Sequence, residues 1–293
     1  MEHKTIAILG GDLRTVYLAN GLAEAGWAVS SVFLEDGGKL LPGVRRGEFP
    51  GALLARAEAV LLPVPALEEE MELRAPLWPV KVPLEPLLDQ IPAGTPVLGG
   101  QIKPPLREAL EARGLPAYDL LDREELTVDN AAYTAEDALA LAIQESPRSI
   151  LGARCVVVGY GRIGKILARY LAALGAKVTV TARRPEHLAW IRVDGHTPWE
   201  TARLAEIVSG ADILFNTVPC RVLERSALRQ MKREALVIDL ASQPGGVDMD
   251  SAREMGIRTL WALSLPGKMT PQAAGESIAA AVENILKERR LTQ

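Results

Sequence analysis

Residues 155–164 read CVVVGYGRIG, a short β-branched run that meets glycines at 159, 161 and 164, and KILARYLAALGAK follows with helical spacing. A strand that ends this way must turn tightly at Gly159, leave its backbone open at Gly161 and let the next helix lie close at Gly164. A second β-branched run at 177–181 completes a βαβ unit. In that setting a G-x-G-x-x-G turn presents the free N–H groups of a helix amino end to a pyrophosphate. Gly159, Tyr160, Gly161, Arg162, Ile163 and Gly164 are therefore the first candidates for binding a dinucleotide.

The end of the second strand chooses between dinucleotides. An NAD site carries an Asp or Glu about 20 residues beyond the first glycine, where it accepts hydrogen bonds from ribose hydroxyls. This chain reads VTVTARRPEH there, with no acid at the strand end and with Arg183 and Arg184 just beyond it. Planar guanidinium groups suit the oxygens of a 2′-phosphate, so the expected cofactor is NADP.

The same grammar occurs in degraded form near the start. A strand at 5–9 leads to Gly10 and Gly11, a helix at 13–25, a stop at Gly26 and a strand at 28–34. Asp12 and Thr15 stand where the second and third glycines belong, and a carboxylate at the second position repels a pyrophosphate. This is a Rossmann-like unit without a dinucleotide. Further strands are expected at 59–64 and from 97, with proline-rich loop or edge structure around 77–86. Residues 106–113 have helical spacing ended by Gly114. A helix starting at Thr134 as N-cap and running to Ile143 is read as the connector, with 146–152 as the joint.

Beyond Gly152 the pattern predicts helices at 165–174, 201–208, 225–232 and 250–255 that alternate with strands at 212–217, 235–240 and 258–262. Such alternation gives a parallel sheet covered on both faces. The expected fold is α/β: two Rossmann-like domains with parallel sheets, the second binding the dinucleotide, and a cleft between them. The first, a substrate domain over 1–145, is expected to be rejoined by the final helix at 272–293, and the cofactor domain spans 146–271. Functional loops belong at the carboxyl ends of the strands. They select Asn216, Thr217, Val218 and Pro219, then Asp239, Ala241, Ser242 and Gln243, then Lys268; turn chemistry alone is the plainer reading of each loop.

Composition removes other classes. A net charge of −4 over 293 residues offers no basic surface for nucleic acid. No apolar run reaches the length of a membrane span and the amino-terminal apolar stretch is too short for a signal peptide, which predicts a cytoplasmic protein. Cys155 and Cys220 fit a reducing compartment, and no Cys/His spacing suits a metal. A homo-oligomer is left open.

GGDLR at 10–14, GYGRIG at 159–164, NTVP at 216–219, DLASQPGG at 239–246, LPGK at 265–268 and PQAAG at 271–275 together resemble the A subunit of dipicolinate synthase from spore-forming bacteria. The resemblance runs over nearly the whole chain apart from the proline-rich segment 63–105. It implies oxidation of a dihydrodipicolinate-type intermediate of the lysine pathway with NADP, a flavoprotein-like second subunit (the B subunit), and the mother cell of a sporulating bacterium. A dicarboxylate substrate needs cations or amides. Arg14, Lys103, Gln243 and Lys268 are the candidate substrate contacts, and Asp12, Arg14, Ser242 and Lys268 the candidate catalytic residues. Asp12 either orients Arg14, takes a proton, or merely caps the following helix. A 2-hydroxyacid dehydrogenase is the nearest rival, but none of His3, His187 and His196 sits where that class keeps its catalytic histidine. S-adenosylhomocysteine hydrolase shares a connector like NAAYTAED and is much longer. A regulatory nucleotide-binding subunit without turnover is the third reading.

Overall fold

The computed structural model describes residues 5–35, 38–47 and 50–291. They form two compact units: one runs to Asp129 and resumes at Thr270, and the other is Asn130–Met269. His3 lies outside the described residues.

In chain order the first unit holds β1 (Thr5–Leu9), α1 (Leu13–Glu24), β2 (Ala28–Val32), β3 (Val44–Arg46), α2 (Pro50–Leu54) and β4 (Ala59–Leu61). There follow β5 (Glu72–Leu73), β6 (Val82–Pro83), α3 (Glu85–Leu88), β7 (Val97–Gly99), α4 (Pro104–Glu111), β8 (Ala117–Asp119) and the start of α5 (Glu124–Glu145). The second unit continues with β9 (Arg154–Val158), α6 (Arg162–Ala173), β10 (Lys177–Ala182), α7 (Pro185–Val193), β11 (Thr197–Glu200), β12 (Ile213–Asn216), α8 (Arg225–Leu228), β13 (Leu236–Asp239), α9 (Met249–Glu254), β14 (Arg258–Trp261) and α10 (Leu265–Lys268). The last helix, α11 (Pro271–Leu291), belongs to the first unit.

Each unit is built on a six-stranded sheet, ordered β3-β2-β1-β4-β7-β8 in the first and β11-β10-β9-β12-β13-β14 in the second. All neighbours are parallel. Counted within its own sheet, each order is third, second, first, fourth, fifth, sixth, the doubly wound arrangement. β5 and β6 form a separate antiparallel hairpin, the edge setting expected for the proline-rich stretch.

Continuous apolar strands follow from cover on both faces. Ile6 and Ile8 of β1 pack with Leu18, Leu22, Ile278 and Val282 on one side, while Ala7 and Leu9 pack with Leu54, Leu88 and Leu106 on the other. The second sheet divides in the same way: Cys155 and Val157 face Ala138, Leu167 and Leu171, and Val156 and Val158 face Leu204, Val208 and Leu228. Helix α11 lies against α1 at close range. A Cβ on Gly275 would stand 2.5 Å from the Arg14 carbonyl oxygen and 2.6 Å from Tyr17 Cβ, so the glycine of PQAAG is set by this helix crossing.

Three local expectations change. Thr134 is not an N-cap: α5 begins ten residues earlier, at Glu124, with two glutamates in its first turn, and the Thr134 hydroxyl donates back to the Asn130 carbonyl at 2.7 Å. A threonine inside a helix can satisfy itself this way and so carries no boundary signal. The segment expected as a helix at 201–208 is two 3-10 stretches, Thr201–Glu206 and Val208–Gly210, with the first broken at Arg203 (φ −105°, ψ 20°). Helix α7 and strand β11 have no counterpart among the expected elements, because both are short and bury little, Ile191 alone in α7 and no residue of β11.

Candidate functional site

The two units repeat one turn with different chemistry. In the second unit Gly159 adopts φ +100°, and a Cβ there would come within 2.5 Å of Thr217 Oγ1. Gly164 is tighter still, with its Cβ position 2.2 Å from the Gly159 carbonyl oxygen. Gly161 is the N-cap of α6 (φ −82°, ψ −166°), no side chain caps the helix, and a Cβ there would meet nothing within 4 Å. Each glycine thus has its own steric reason: the turn, the close packing and the open approach. The helix end is left to bind an anion, and these residues fit a pyrophosphate.

In the first unit Asp12 occupies the place of Gly161 with nearly the same backbone (φ −106°, ψ −166°). Its carboxylate accepts from the Arg14 backbone N–H at 3.0 Å. It also pairs with the Arg14 guanidinium, Nη2 to Oδ2 at 2.7 Å. Arg14 is only 9% exposed and donates as well to the Val64 carbonyl at 2.5 Å. Asp12 both caps α1 and holds Arg14, and the anion place is filled by the chain itself.

A cavity of about 500 Å³ opens beside the α6 turn within the second unit. It is lined by Gly159, Tyr160 and Gly161, by Arg183 and Arg184 beyond β10, and by Thr217, Val218 and Pro219 beyond β12. Those eight expected residues are brought together. The lining also includes His187, Thr201 and Cys220, which no sequence motif singles out. Arg162 and Ile163 begin α6 outside the lining, and Gly164 is buried behind the turn.

The side chains of Asn216 and Asp239, two of the expected loop residues, are turned inward toward each other. Asn216 is 0% exposed and Asp239 1%. The Asn216 amide donates to Asp239 Oδ1 at 2.7 Å and to the Val218 carbonyl at 3.0 Å, and its own oxygen accepts from Val218 N–H at 3.1 Å. Asp239 further accepts from Ala241, Gly246 and Val247 N–H at 3.1, 2.8 and 3.2 Å. A Cβ on Gly246 would lie 2.2 Å from the Asn216 amide nitrogen, and Trp261 Nε1 donates to the Ala241 carbonyl at 2.9 Å. The DLASQPGG loop is wound around one buried carboxylate, which fixes the neighbouring NTVP loop. Ala241 is buried within it, while Ser242 and Gln243 stand exposed at its tip. Lys268 is exposed at the end of α10, and in the first unit Lys103 is exposed at the start of α4.

Tyr160 is 4% exposed; burial, together with donation of its hydroxyl to Asp194, pushes its pKa up to about 12. Lys165 Nζ sits 5.1 Å from the centre of the Tyr160 ring, a cation–π distance. Desolvation first, and Arg184 second, push the His187 imidazole below its ordinary value. Cys155 is buried with its pKa raised to about 12 by desolvation, so it is no nucleophile at neutral pH. His196 is 8% exposed and lowered by burial, which suits a packed imidazole rather than a catalytic one. Among the described residues no three His, Cys, Asp or Glu side chains gather as metal ligands, and no helix is long and apolar enough to cross a membrane.

Two parallel sheets of one strand order, one ending in an open phosphate turn and the other in a turn closed by its own carboxylate, define a two-Rossmann-domain dinucleotide-binding protein. Residues 5–121 match the family of N-terminal domains of the dipicolinate synthase A subunit. Residues 131–263 match the S-adenosyl-L-homocysteine hydrolase NAD binding domain. The A subunit of dipicolinate synthase from Bacillus subtilis (strain 168) is 32% identical over 284 residues, 97% of this chain and 96% of that one. The crystal structure of the dipicolinate synthase A subunit from Bacillus halodurans superposes with a TM-score of 0.89 at 31% identity, covering 97% of each chain. The corresponding crystal structure from Bacillus subtilis superposes at 0.88 and 31% identity, covering 100% of this chain and 99% of that one. The chain belongs to the family of dipicolinate synthase A subunits, and its second unit is a nicotinamide-dinucleotide-binding domain. The resemblance read from the sequence is borne out, as is the fold class of two parallel-sheet Rossmann-like domains.

Asp239→Ala would strand four N–H donors in the interior, at a cost of roughly 3 kcal/mol or more. The expected outcome is an earlier urea-unfolding transition in the second unit, with Asp239→Asn in between because one carbonyl oxygen remains. An unchanged transition for the alanine variant contradicts the clamp.

Proposed function

We propose that this chain oxidises a dihydrodipicolinate-type intermediate of the lysine pathway to dipicolinate, with hydride transfer to NADP, together with a flavoprotein-like second subunit. The observation that carries the cofactor choice is the pair Arg183 and Arg184 on the cavity lining beyond β10, where no acid stands to hold ribose hydroxyls. Family membership carries the substrate class, and relatives that form the A subunit of their enzyme support the second subunit. The mother cell of a sporulating bacterium is the cellular setting this reading entails.

The chemistry asks little of the protein's acids and bases. A dihydropyridine that loses a hydride to the nicotinamide and a proton to its surroundings becomes aromatic, so orientation supplies much of the rate. NADP, when bound, supplies the hydride acceptor. The glycine turn and the N–H groups of α6 hold the phosphates, and the Asp239 clamp fixes the loops beyond β12 and β13. The first unit is the substrate domain. Arg14, held by Asp12, is the proposed anchor of a carboxylate, with Lys103, Ser242, Gln243 and Lys268 as the further candidate substrate contacts and Asp12 and Ser242 among the candidate catalytic residues.

The test couples the purified protein to a dihydrodipicolinate-generating enzyme, with and without the flavoprotein-like partner, and follows NADPH and dipicolinate together. Equimolar appearance of both supports the reading; dipicolinate without NADPH, or neither product in either arm, overturns it. Binding provides the sharper prediction. NADPH is expected to bind more tightly than NADH, and replacing Arg183 and Arg184 with alanine removes charge-assisted contacts of about 1.5–3 kcal/mol. That corresponds to roughly tenfold or more in NADPH affinity, with NADH within about twofold. Equal affinities for the two dinucleotides in the unaltered protein contradict the assignment.

A further inference from the structure

His187 is the third residue of α7, one turn beyond the two arginines, and it lines the same cavity as Arg183, Arg184, Gly161 and Thr201. Its Nε2 is in direct contact with Arg184 Nη2. A guanidinium nitrogen only donates, so the imidazole nitrogen facing it must offer a lone pair and carry no proton. This contact favours the neutral ring with its hydrogen on Nδ1. Its other neighbours hold it there. The edge of Tyr160 packs against it at 5.8 Å between centroids and 64° between planes. Lys165 of α6 and Arg184 disfavour a second positive charge, and Glu186, itself 3.3 Å from Arg184 Nε, is the one acid acting in the opposite sense. Burial acts with the two cations, and the net displacement of the imidazole is downward.

An anion placed among these groups changes the balance. A phosphate dianion meeting Arg183 and Arg184 draws the Arg184 guanidinium to its own oxygens, which releases Nε2 from its donor. It also presents acceptors to Nε2 and replaces a repulsive surrounding with an attractive one. We infer that His187 is a third, titratable arm of the 2′-phosphate corner, taking up a proton as the phosphorylated dinucleotide binds. This rests on the proposed use of NADP and adds to it a residue and a pH dependence.

The sign follows from linkage. A group that is neutral in the free protein and charged in the complex has its pKa raised by the ligand. Affinity for NADPH then climbs as pH falls from the pKa of the complex toward that of the free protein, by at most about tenfold per pH unit, and is flat above both. NADH brings no phosphate to this corner, so its affinity stays level. The 2′-phosphate has its own second ionisation near pH 6, by analogy with phosphate monoesters, which weakens binding at lower pH. That effect is common to wild type and variants and cancels in their comparison.

The experiment titrates the full chain with NADPH and with NADH by calorimetry between pH 6 and 8.5, in buffers of different ionisation enthalpy so that protons are counted directly. Expected for wild type is uptake of part of a proton with NADPH but not NADH, and an NADPH-over-NADH preference that rises about fivefold from pH 8 to pH 6.5. His187→Gln keeps a polar side chain of similar reach but cannot titrate. It is expected to lose both the proton uptake and the pH slope, with retained NADH binding showing an intact cavity. Should that variant not fold, the imidazole resonance in the wild-type chain is followed by NMR with and without NADPH, and a pKa raised by the ligand is expected. A His187→Gln profile that parallels wild type, or an imidazole pKa unmoved by NADPH, overturns the inference while leaving the NADP assignment standing. A wild type that fails to prefer NADPH at any pH overturns both.

Discussion

A helix that begins at the end of a parallel strand presents unpaired N–H groups and the positive end of its dipole, and a capping side chain, water or a ligand must meet them, an anion most favourably. Much of the difference between the two halves of this chain follows from what does. In the first unit the chain supplies its own anion, since Asp12 caps α1 and its carboxylate is neutralised by Arg14. In the second unit no side chain caps α6, and Gly161 leaves the approach clear. One topology thereby serves two ends: a closed turn that immobilises an arginine, and an open one that receives phosphates.

Keeping the second turn open requires order around it. Gly164 sets the distance between α6 and the strand end because any side chain there would collide with the Gly159 carbonyl. The Asp239 carboxylate, satisfied by four donors, holds the loops beyond β12 and β13 in register. No acid stands at the strand end, where a ribose-binding carboxylate would; Arg183 and Arg184 line the cavity there, Arg184 paired with Glu186 of α7 at 3.3 Å. In the proposed reading, backbone geometry receives the phosphates and side-chain charge selects among dinucleotides.

The glycine turn is legible in the sequence because glycine identity itself encodes sterics, and the doubly wound sheets because TIAIL and CVVV are apolar on both faces of a strand. The role of Asp12 is legible only as alternatives, since one carboxylate can cap a helix and orient an arginine at once, and here it does both. What the sequence hides is long-range or mixed in signal. Asn216 and Asp239 are 23 residues apart and read as ligand contacts because they sit at strand ends, whereas their partners are each other and the loop backbones. His187 does not stand where a dehydrogenase keeps its catalytic histidine, yet the short helix α7, whose apolar residues form no buried stripe beyond Ile191, brings it to the cavity wall. Thr134 misleads because threonine at a helix start and threonine inside a helix look alike in sequence.

The central claim, that the uncapped end of α6 binds the dinucleotide and the capped end of α1 does not, is tested by moving the cap. Gly161→Asp transplants the carboxylate of the first turn to a position whose backbone angles already match those of Asp12 and where a Cβ meets nothing within 4 Å. The variant is predicted to fold, because aspartate is a favourable N-cap, and to bind NADPH and NADH about a hundredfold or more weakly in fluorescence titrations as carboxylate replaces phosphate at the helix end. Retention of wild-type dinucleotide affinity by the folded variant would contradict it.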